Sequence, residues 1–244
     1  LKVTRILRGS KPEKVEGNLF LDYLSGASIT YLPQAQWRNH EALARELQDD
    51  YAKSGNKAYF IPTGASDEVG LWGYIAACQE LQQDFKTLGF EPEYIVTATG
   101  SGGTQGGLIV GAELFDLSSQ ILAVNVCDDA AYFEKKIKAD VGLWMQRYKQ
   151  KLDLDQLDIN TVEGYVGQGY GIAGPEGLDT IAEVARMHGI FLDPVYTGKA
   201  FHGMVSEIRK GKQGKLAGAE NVLFIHTGGL FGLFPQQQNF QFLN

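Results

Sequence analysis

Residues 98–107 read Ala-Thr-Gly-Ser-Gly-Gly-Thr-Gln-Gly-Gly, with five glycines, three hydroxyl side chains and no charge. The apolar run Tyr94 to Ala98 precedes them and a helical pattern from Thr104 to Leu114 follows. Where a strand passes through glycines into a helix, backbone N–H groups can approach an anion closely, and the helix N-terminus adds partial positive charge. Gly100, Ser101, Gly102, Gly103, Thr104 and Gln105 therefore form a candidate phosphate cup, with Ser101 and Thr104 as hydroxyl donors. The competing reading is a tight βα turn in which glycine serves close packing alone.

The spacing sorts the phosphate ligands. A loop of the form G-x-x-x-x-G-K-[ST] is excluded, because no lysine follows these glycines. A dinucleotide fingerprint would start at Gly100 and Gly102, but its third position falls on Gln105. Asp128, at the next strand end, keeps that reading open as a ribose-binding acid. A cofactor with one phosphate remains, and pyridoxal phosphate is the natural candidate. Other residues are less specific. Ser66, after a Gly-Ala turn, can meet a substrate carboxylate or cap the helix that follows. His40, His188, His202 and His226 have no metal-ligand spacing, so no metal site is expected. Lys199 reads as a helix-start or salt-bridge lysine. Phe133, Trp144 and Tyr148 read as core or dimer contact, and Asp49-Asp50 and Asp128-Asp129 as solvated acids at loops or helix ends.

Strands separated by helices must position these groups. Val3, Ile6 and Leu7 mark a first strand and Ile29 to Leu32 a second; Pro33 to Ser54 is helical, and Ala58 to Ile61 reads as a short buried strand. A helix over Gly70 to Phe85 leads to the strand Tyr94 to Ala98, the glycine loop and its helix. Ile121 to Val126 is the next strand and Ala130 to Lys149 an amphipathic helix. After a helix from Glu176 to His188, Ile190 to Tyr196 reads as a strand, Lys199 to Arg209 as a helix and Asn221 to His226 as the last strand. The alternation predicts an α/β protein with mostly parallel sheets flanked by helices.

The 244 residues are 44% hydrophobic and 21% charged, enough for a sizeable core, and the net charge is −7. That balance, without a long basic tract, argues against nucleic acid as a partner. No apolar run approaches the ~18 residues of a membrane span. Cys78 and Cys127 lie in apolar segments and do not form a disulfide framework, so a cytoplasmic setting is expected. The chain begins with Leu1 directly in a strand-like run, and the expectation is that an upstream part of the protein is absent.

Three more segments complete a pattern: Ile61-Pro62-Thr63-Gly64-Ala65-Ser66, Leu192-Asp193-Pro194-Val195-Tyr196-Thr197-Gly198-Lys199 and Phe224-Ile225-His226-Thr227-Gly228-Gly229. With the glycine loop, from about Leu1 to Gly229, they resemble the D-cysteine desulfhydrase / 1-aminocyclopropane-1-carboxylate deaminase family. The resemblance implies a two-domain tryptophan synthase β-subunit-like fold, with residues 1–66 as what remains of a small domain and 67–244 as the cofactor-binding domain. It implies a pyridoxal 5'-phosphate enzyme acting on a small amino acid, commonly as a homodimer. By it, Gly100 to Gln105 bind the cofactor phosphate and Tyr196 takes part in proton or nucleophile chemistry. Tyr165 faces the cofactor on the substrate side, with Ser66 as a further substrate contact, and Thr227 with Gly228 lies near the pyridine edge. Thr197 stands where the deaminases of the family carry glutamate. A threonine can hydrogen-bond a neutral ring but supplies no charge, which favours β-elimination of D-cysteine to pyruvate, sulfide and ammonia over cyclopropane opening. The family's Schiff-base lysine segment has no counterpart here, so a chain confined to these residues is expected to be inactive. Two rivals stay open, a nicotinamide dinucleotide-binding protein using Asp128 and a non-catalytic member of the fold. The physiological amino acid is not specified by the sequence.

Overall fold

A computed structural model describes residues 1–241; residues 242–244 of the expected second domain lie outside it. The chain divides into two compact units, Leu1–Pro62 and Thr63–Asn244. The division falls ahead of Ser66, so that the whole Gly64-Ala65-Ser66 turn belongs to the second unit.

In the first unit, β1 (Thr4–Arg8) and β2 (Ser28–Leu32) pair in parallel, from Thr4 opposite Ser28 to Arg8 opposite Leu32. α1 (Gly17–Leu24) connects them, as a parallel pair requires a crossover. The predicted helix from Pro33 is two elements, a 3-10 turn Gln34–Asn39 and α2 (His40–Lys53). Ala58 to Ile61 is not a strand: no neighbour pairs with it, and Tyr59 and Ile61 are exposed rather than buried. Its β-type composition has no ladder to join.

The second unit is built on four parallel strands in the order β5-β4-β3-β6. α3 (Leu71–Leu88) precedes β3 (Tyr94–Thr99), and α4 (Gly103–Leu114) carries the chain to β4 (Gln120–Asn125). α5 (Ala130–Tyr148) leads to β5 (Asn160–Val162), a strand the sequence reading missed. α6 (Pro175–His188) and α7 (Thr197–Arg209) then cross to β6 (Val222–Phe224) on the other side of β3. The segment Ile190 to Tyr196, read as a strand, is irregular chain.

Both faces of this sheet are covered, which explains why β3 and β4 are near-continuous apolar runs. One cluster joins Ile95 and Ile121 to Leu71, Ile75, Leu108 and the α5 residues Phe133, Ile137, Val141 and Trp144, confirming the last set as core. The other joins Val96, Leu122 and Val124 to Ala200 and Met204 of α7. α3 and α4 pack so closely that a Cβ on Gly111 would stand 2.6 Å from Cys78 Sγ. β4 and β6 flank β3 on opposite sides. The chain therefore reverses its winding at the carboxyl end of β3, the place where open α/β sheets bind ligands.

Candidate functional site

The glycine loop leaves β3 at Thr99 and enters α4 at Gly103. Gly102 caps the helix at φ 89°, a left-handed conformation that other residues adopt only with strain. The first intrahelical bond runs from Gly106 N–H to Gly102 O. The N–H groups of Gly103, Thr104 and Gln105 therefore have no acceptor within α4. Ser66 takes one of them: its Oγ accepts from Gly103 N–H at 3.0 Å and donates to Ser101 Oγ at 2.7 Å. Ser101 accepts that bond, so its own hydroxyl proton is left to point elsewhere.

Glycine is required at these contacts. A Cβ on Gly103 would stand 2.5 Å from Ser66 Oγ, and one on Gly64 would stand 2.2 Å from Ser101 Oγ. Lys136 of α5 donates to Ser66 O at 3.1 Å and pairs with Asp140, placing a cation behind the turn. Burial pushes the Asp140 carboxyl up against the opposing pull of Lys136. The loop thus combines free helix-end amides and hydroxyls to which no carboxylate among the described residues is bonded, a donor set that suits a phosphate. Gln105 contributes only backbone. Its buried side chain donates to Asn160 O at 3.2 Å and Thr161 Oγ1 at 3.1 Å, tying α4 to β5.

Tyr196 stands against the same loop. A Cβ on Gly100 would approach its Cε1 to 3.0 Å. Its hydroxyl is bonded to that of Tyr170, and burial, followed by that bond, raises its ionisation well above the ordinary tyrosine value. Tyr196 is therefore a protonated donor across the neutral range. The backbone of this turn is fixed by Asp193. Its Oδ2 accepts from Val195 N–H at 2.8 Å and Tyr196 N–H at 2.9 Å. Its Oδ1 accepts from the N–H and the hydroxyl of Thr197, each at 2.7 Å. Four donors fill the acceptor capacity of a carboxylate. Thr197 is fully buried, and its Oγ1 also accepts from Asp193 N–H at 2.8 Å.

Thr227 and Gly228 follow β6, whose Phe224 lies opposite Val96 of β3, so they leave the same edge of the sheet. Both are exposed. Gly228 N–H donates to His226 Nδ1 at 3.0 Å, and the other ring nitrogen, Nε2, faces Phe191 O at 3.1 Å. A Cβ on Gly229 would stand 2.6 Å from Asp193 Cγ. The Thr227-Gly228-Gly229 loop therefore packs on the turn that carries Tyr196 and Thr197.

Tyr165, which the resemblance sets on the substrate side of the cofactor, is tied to α7. Its hydroxyl donates to Glu207 at 2.6 Å and its ring joins the α7 side of the core. Tyr170, five residues on in the same glycine-rich segment, meets Tyr196 instead. The sequence held a signal for it, since both tyrosines are preceded by glycine, but nothing in the spacing says which one meets Tyr196. Asp128 lies in a turn at φ 50°, where its carbonyl accepts from Asn125 Nδ2 at 2.8 Å. Among the described residues no group of three or more His, Cys, Asp or Glu could hold a metal.

A glycine cup thus stands at the end of a central parallel strand, faced by a tyrosine pair. The chain belongs to the family of pyridoxal-phosphate dependent enzymes, whose pattern matches residues 2–228. Its relatives within that family include a candidate 1-aminocyclopropane-1-carboxylate deaminase of Thermotoga maritima, 38% identical over 240 residues, which are 98% of this chain and 72% of the relative. The bifunctional mitochondrial D-cysteine desulfhydrase/1-aminocyclopropane-1-carboxylate deaminase of Arabidopsis thaliana is 35% identical over 97% of this chain and 58% of its own length. This chain thus spans well under the full length of both. The crystal structure of a 1-aminocyclopropane-1-carboxylate deaminase homologue superposes with a TM-score of 0.85 at 30% identity, over all of this chain and 71% of the other. The fold is the tryptophan synthase β-like architecture of fold type II pyridoxal-phosphate enzymes, as the sequence resemblance implied.

Proposed function

We propose that the protein catalyses pyridoxal-phosphate-dependent α,β-elimination from a small amino acid, with D-cysteine preferred. The residues present fit the cofactor: Thr104 and Gln105 amides, Ser101 and Thr104 hydroxyls, and no competing acid at the cup. When bound, the cofactor supplies the electron sink that stabilises a carbanion at the substrate's α-carbon. The chain's own contribution is to fix the phosphate end, orient the amino acid and move protons. Tyr196 acts as proton donor in this reading, which its contact with Tyr170 and the anchoring of its backbone by Asp193 support.

The substrate preference rests on one observation, the closed state of Thr197 and Asp193. Thr197 engages its hydroxyl with Asp193, and Asp193 has all four acceptor positions filled. Neither offers a free carboxylate to stabilise a protonated pyridine nitrogen. A neutral ring suffices when the developing charge is relieved by a leaving thiolate, whereas ring opening draws on a stronger sink. The names of the relatives support a second reading, 1-aminocyclopropane-1-carboxylate deamination. Comparing rates in the intact protein separates them: sulfide and pyruvate should form from D-cysteine faster than 2-oxobutyrate forms from 1-aminocyclopropane-1-carboxylate. The reverse order rejects the preference.

A chain confined to these 244 residues is proposed to be inactive. Lys199 is bound to two carbonyls and Lys136 to Ser66 and Asp140, and neither is assigned to the cofactor aldehyde. Borohydride reduction with the cofactor present should label no lysine of residues 1–244. A label on either lysine overturns that assignment.

A further inference from the structure

The segment 164–171 that delivers Tyr170 is poorly self-supporting. Gly164, Gly167, Gly169 and Gly171 all have positive φ, from 68° to 144°, and such backbone has few conformational restraints of its own. Its internal tie is a long contact from Ile172 N–H to Gly169 O at 3.3 Å. Outside ties come at its start from Tyr165, whose hydroxyl donates to Glu207 at 2.6 Å and whose ring packs on the α7 side of the core, and beyond it from Gln236, which donates to Gly171 O at 3.0 Å, and from Lys199.

Lys199 is an improbable residue at its position. It lies in the first turn of α7, where the helix dipole opposes a cation, and it is 4% exposed. Burial lowers its proton affinity, with Cys127 and Asp193 pulling the other way. Among the described residues no carboxylate accepts a hydrogen bond from it, and Asp193 is filled by four other donors. Instead its Nζ donates to Val166 O at 2.6 Å and to Gly169 O at 2.8 Å. The second carbonyl is joined by one peptide bond to Tyr170. The same helical turn begins at Tyr196, so one rigid element carries both a tyrosine of the pair and the anchor for the other.

We propose that Lys199 is a positioning residue of the Tyr170–Tyr196 pair: it ties the 164–171 loop to the first turn of α7 and so holds the two hydroxyls in register. The inference rests on the reading of Tyr196 as the proton donor. A buried ammonium supplies what the loop lacks, a multivalent donor that fixes two carbonyls at once, and charge-assisted bonds of this kind are roughly twice as strong as neutral ones.

The test uses the intact protein with Lys199→Met, Lys199→Gln and Tyr170→Phe. Hydrogen exchange, read without cofactor or substrate, should rise about tenfold or more for amides 164–172 in Lys199→Met, with β3 and β4 unchanged. Lys199→Gln, which keeps an uncharged amide donor, should fall between. In turnover of D-cysteine, Lys199→Met should lower kcat by about 10- to 100-fold, the range expected for a small misplacement of a catalytic group. That factor should largely vanish in the Tyr170→Phe background. Unchanged exchange in 164–172 overturns the proposal, and so does an equal loss of kcat in both backgrounds. Failure of both lysine variants to fold also overturns it, since the residue then supports the whole unit. The exchange arm needs no turnover, so a protein inactive on D-cysteine refutes the functional reading while the lysine is still judged.

Discussion

Replacing Asp193 by asparagine should loosen the turn that carries Tyr196. In the native turn each carboxylate oxygen accepts two hydrogen bonds, at 2.7 to 2.9 Å. Asparagine keeps one oxygen and sets an amide NH2 where the other was. Whichever way it is turned, two donors then face a donor. Each orphaned buried donor costs about 1–3 kcal/mol, so the pair costs about 2–6 kcal/mol. The side chain should keep its oxygen toward buried Thr197 and leave the unpaired donors at half-buried Val195 and Tyr196, where water can partly replace the loss. The lower figure therefore applies, and about 2 kcal/mol corresponds to about a 30-fold increase in local opening. Hydrogen exchange of amides 195–200, read by mass spectrometry, should accelerate by that order while β3 and β4 hold. Loss of kcat should accompany it. Unchanged exchange in this segment refutes the claim that the carboxylate holds the turn.

Three further outcomes follow from the same geometry. Gly103→Ala forces a methyl to 2.5 Å from Ser66 Oγ and 3.2 Å from Ser66 Cα, so pyridoxal phosphate affinity, followed by absorbance, should fall about tenfold or more while the fold survives. Tyr170→Phe should lower kcat by about 100-fold, whereas Tyr165→Phe should chiefly lower stability by about 1–2 kcal/mol through loss of the bond to Glu207, as kinetics and urea unfolding distinguish. Burial pushes the Cys78 thiol from 9.0 up to about 12. A raised value stabilises the fold fully below pH 9, and the contribution is lost as pH climbs toward 12, so the urea midpoint should decline over that window and decline less in Cys78→Ala.

The strand-loop-helix run from Tyr94 to Leu114 was legible because every level agreed: an apolar strand buried on both faces, glycines at the bend, and a helix pattern directly after. β5 was not legible. Asn160-Thr161-Val162 has one buried apolar residue, and what makes it a strand is its register on Leu122 to Val124 and the Gln105 side chain, both distant in sequence. The opposite error, reading Ala58 to Ile61 and Ile190 to Tyr196 as strands, has the same source. Composition declares a segment fit for a sheet but not that an edge is available to it. Around the site, the glycine loop was readable from spacing, whereas Tyr196 was singled out by the family resemblance. The closure of Thr197 on Asp193, the meeting of Tyr170 with Tyr196 and the carbonyl ties of Lys199 depend on side-chain direction, which a single sequence does not encode locally.

The central claim is that residues 100–105 hold a cofactor through its phosphate. Its most direct measurement is equilibrium binding to the intact protein of pyridoxal phosphate, phosphate-free pyridoxal and NAD, with wild type and Ser101→Ala side by side. Pyridoxal phosphate should bind far more tightly than pyridoxal, inorganic phosphate should compete, and Ser101→Ala should weaken the phosphate form alone. Equal binding of pyridoxal, or preference for NAD, contradicts the account.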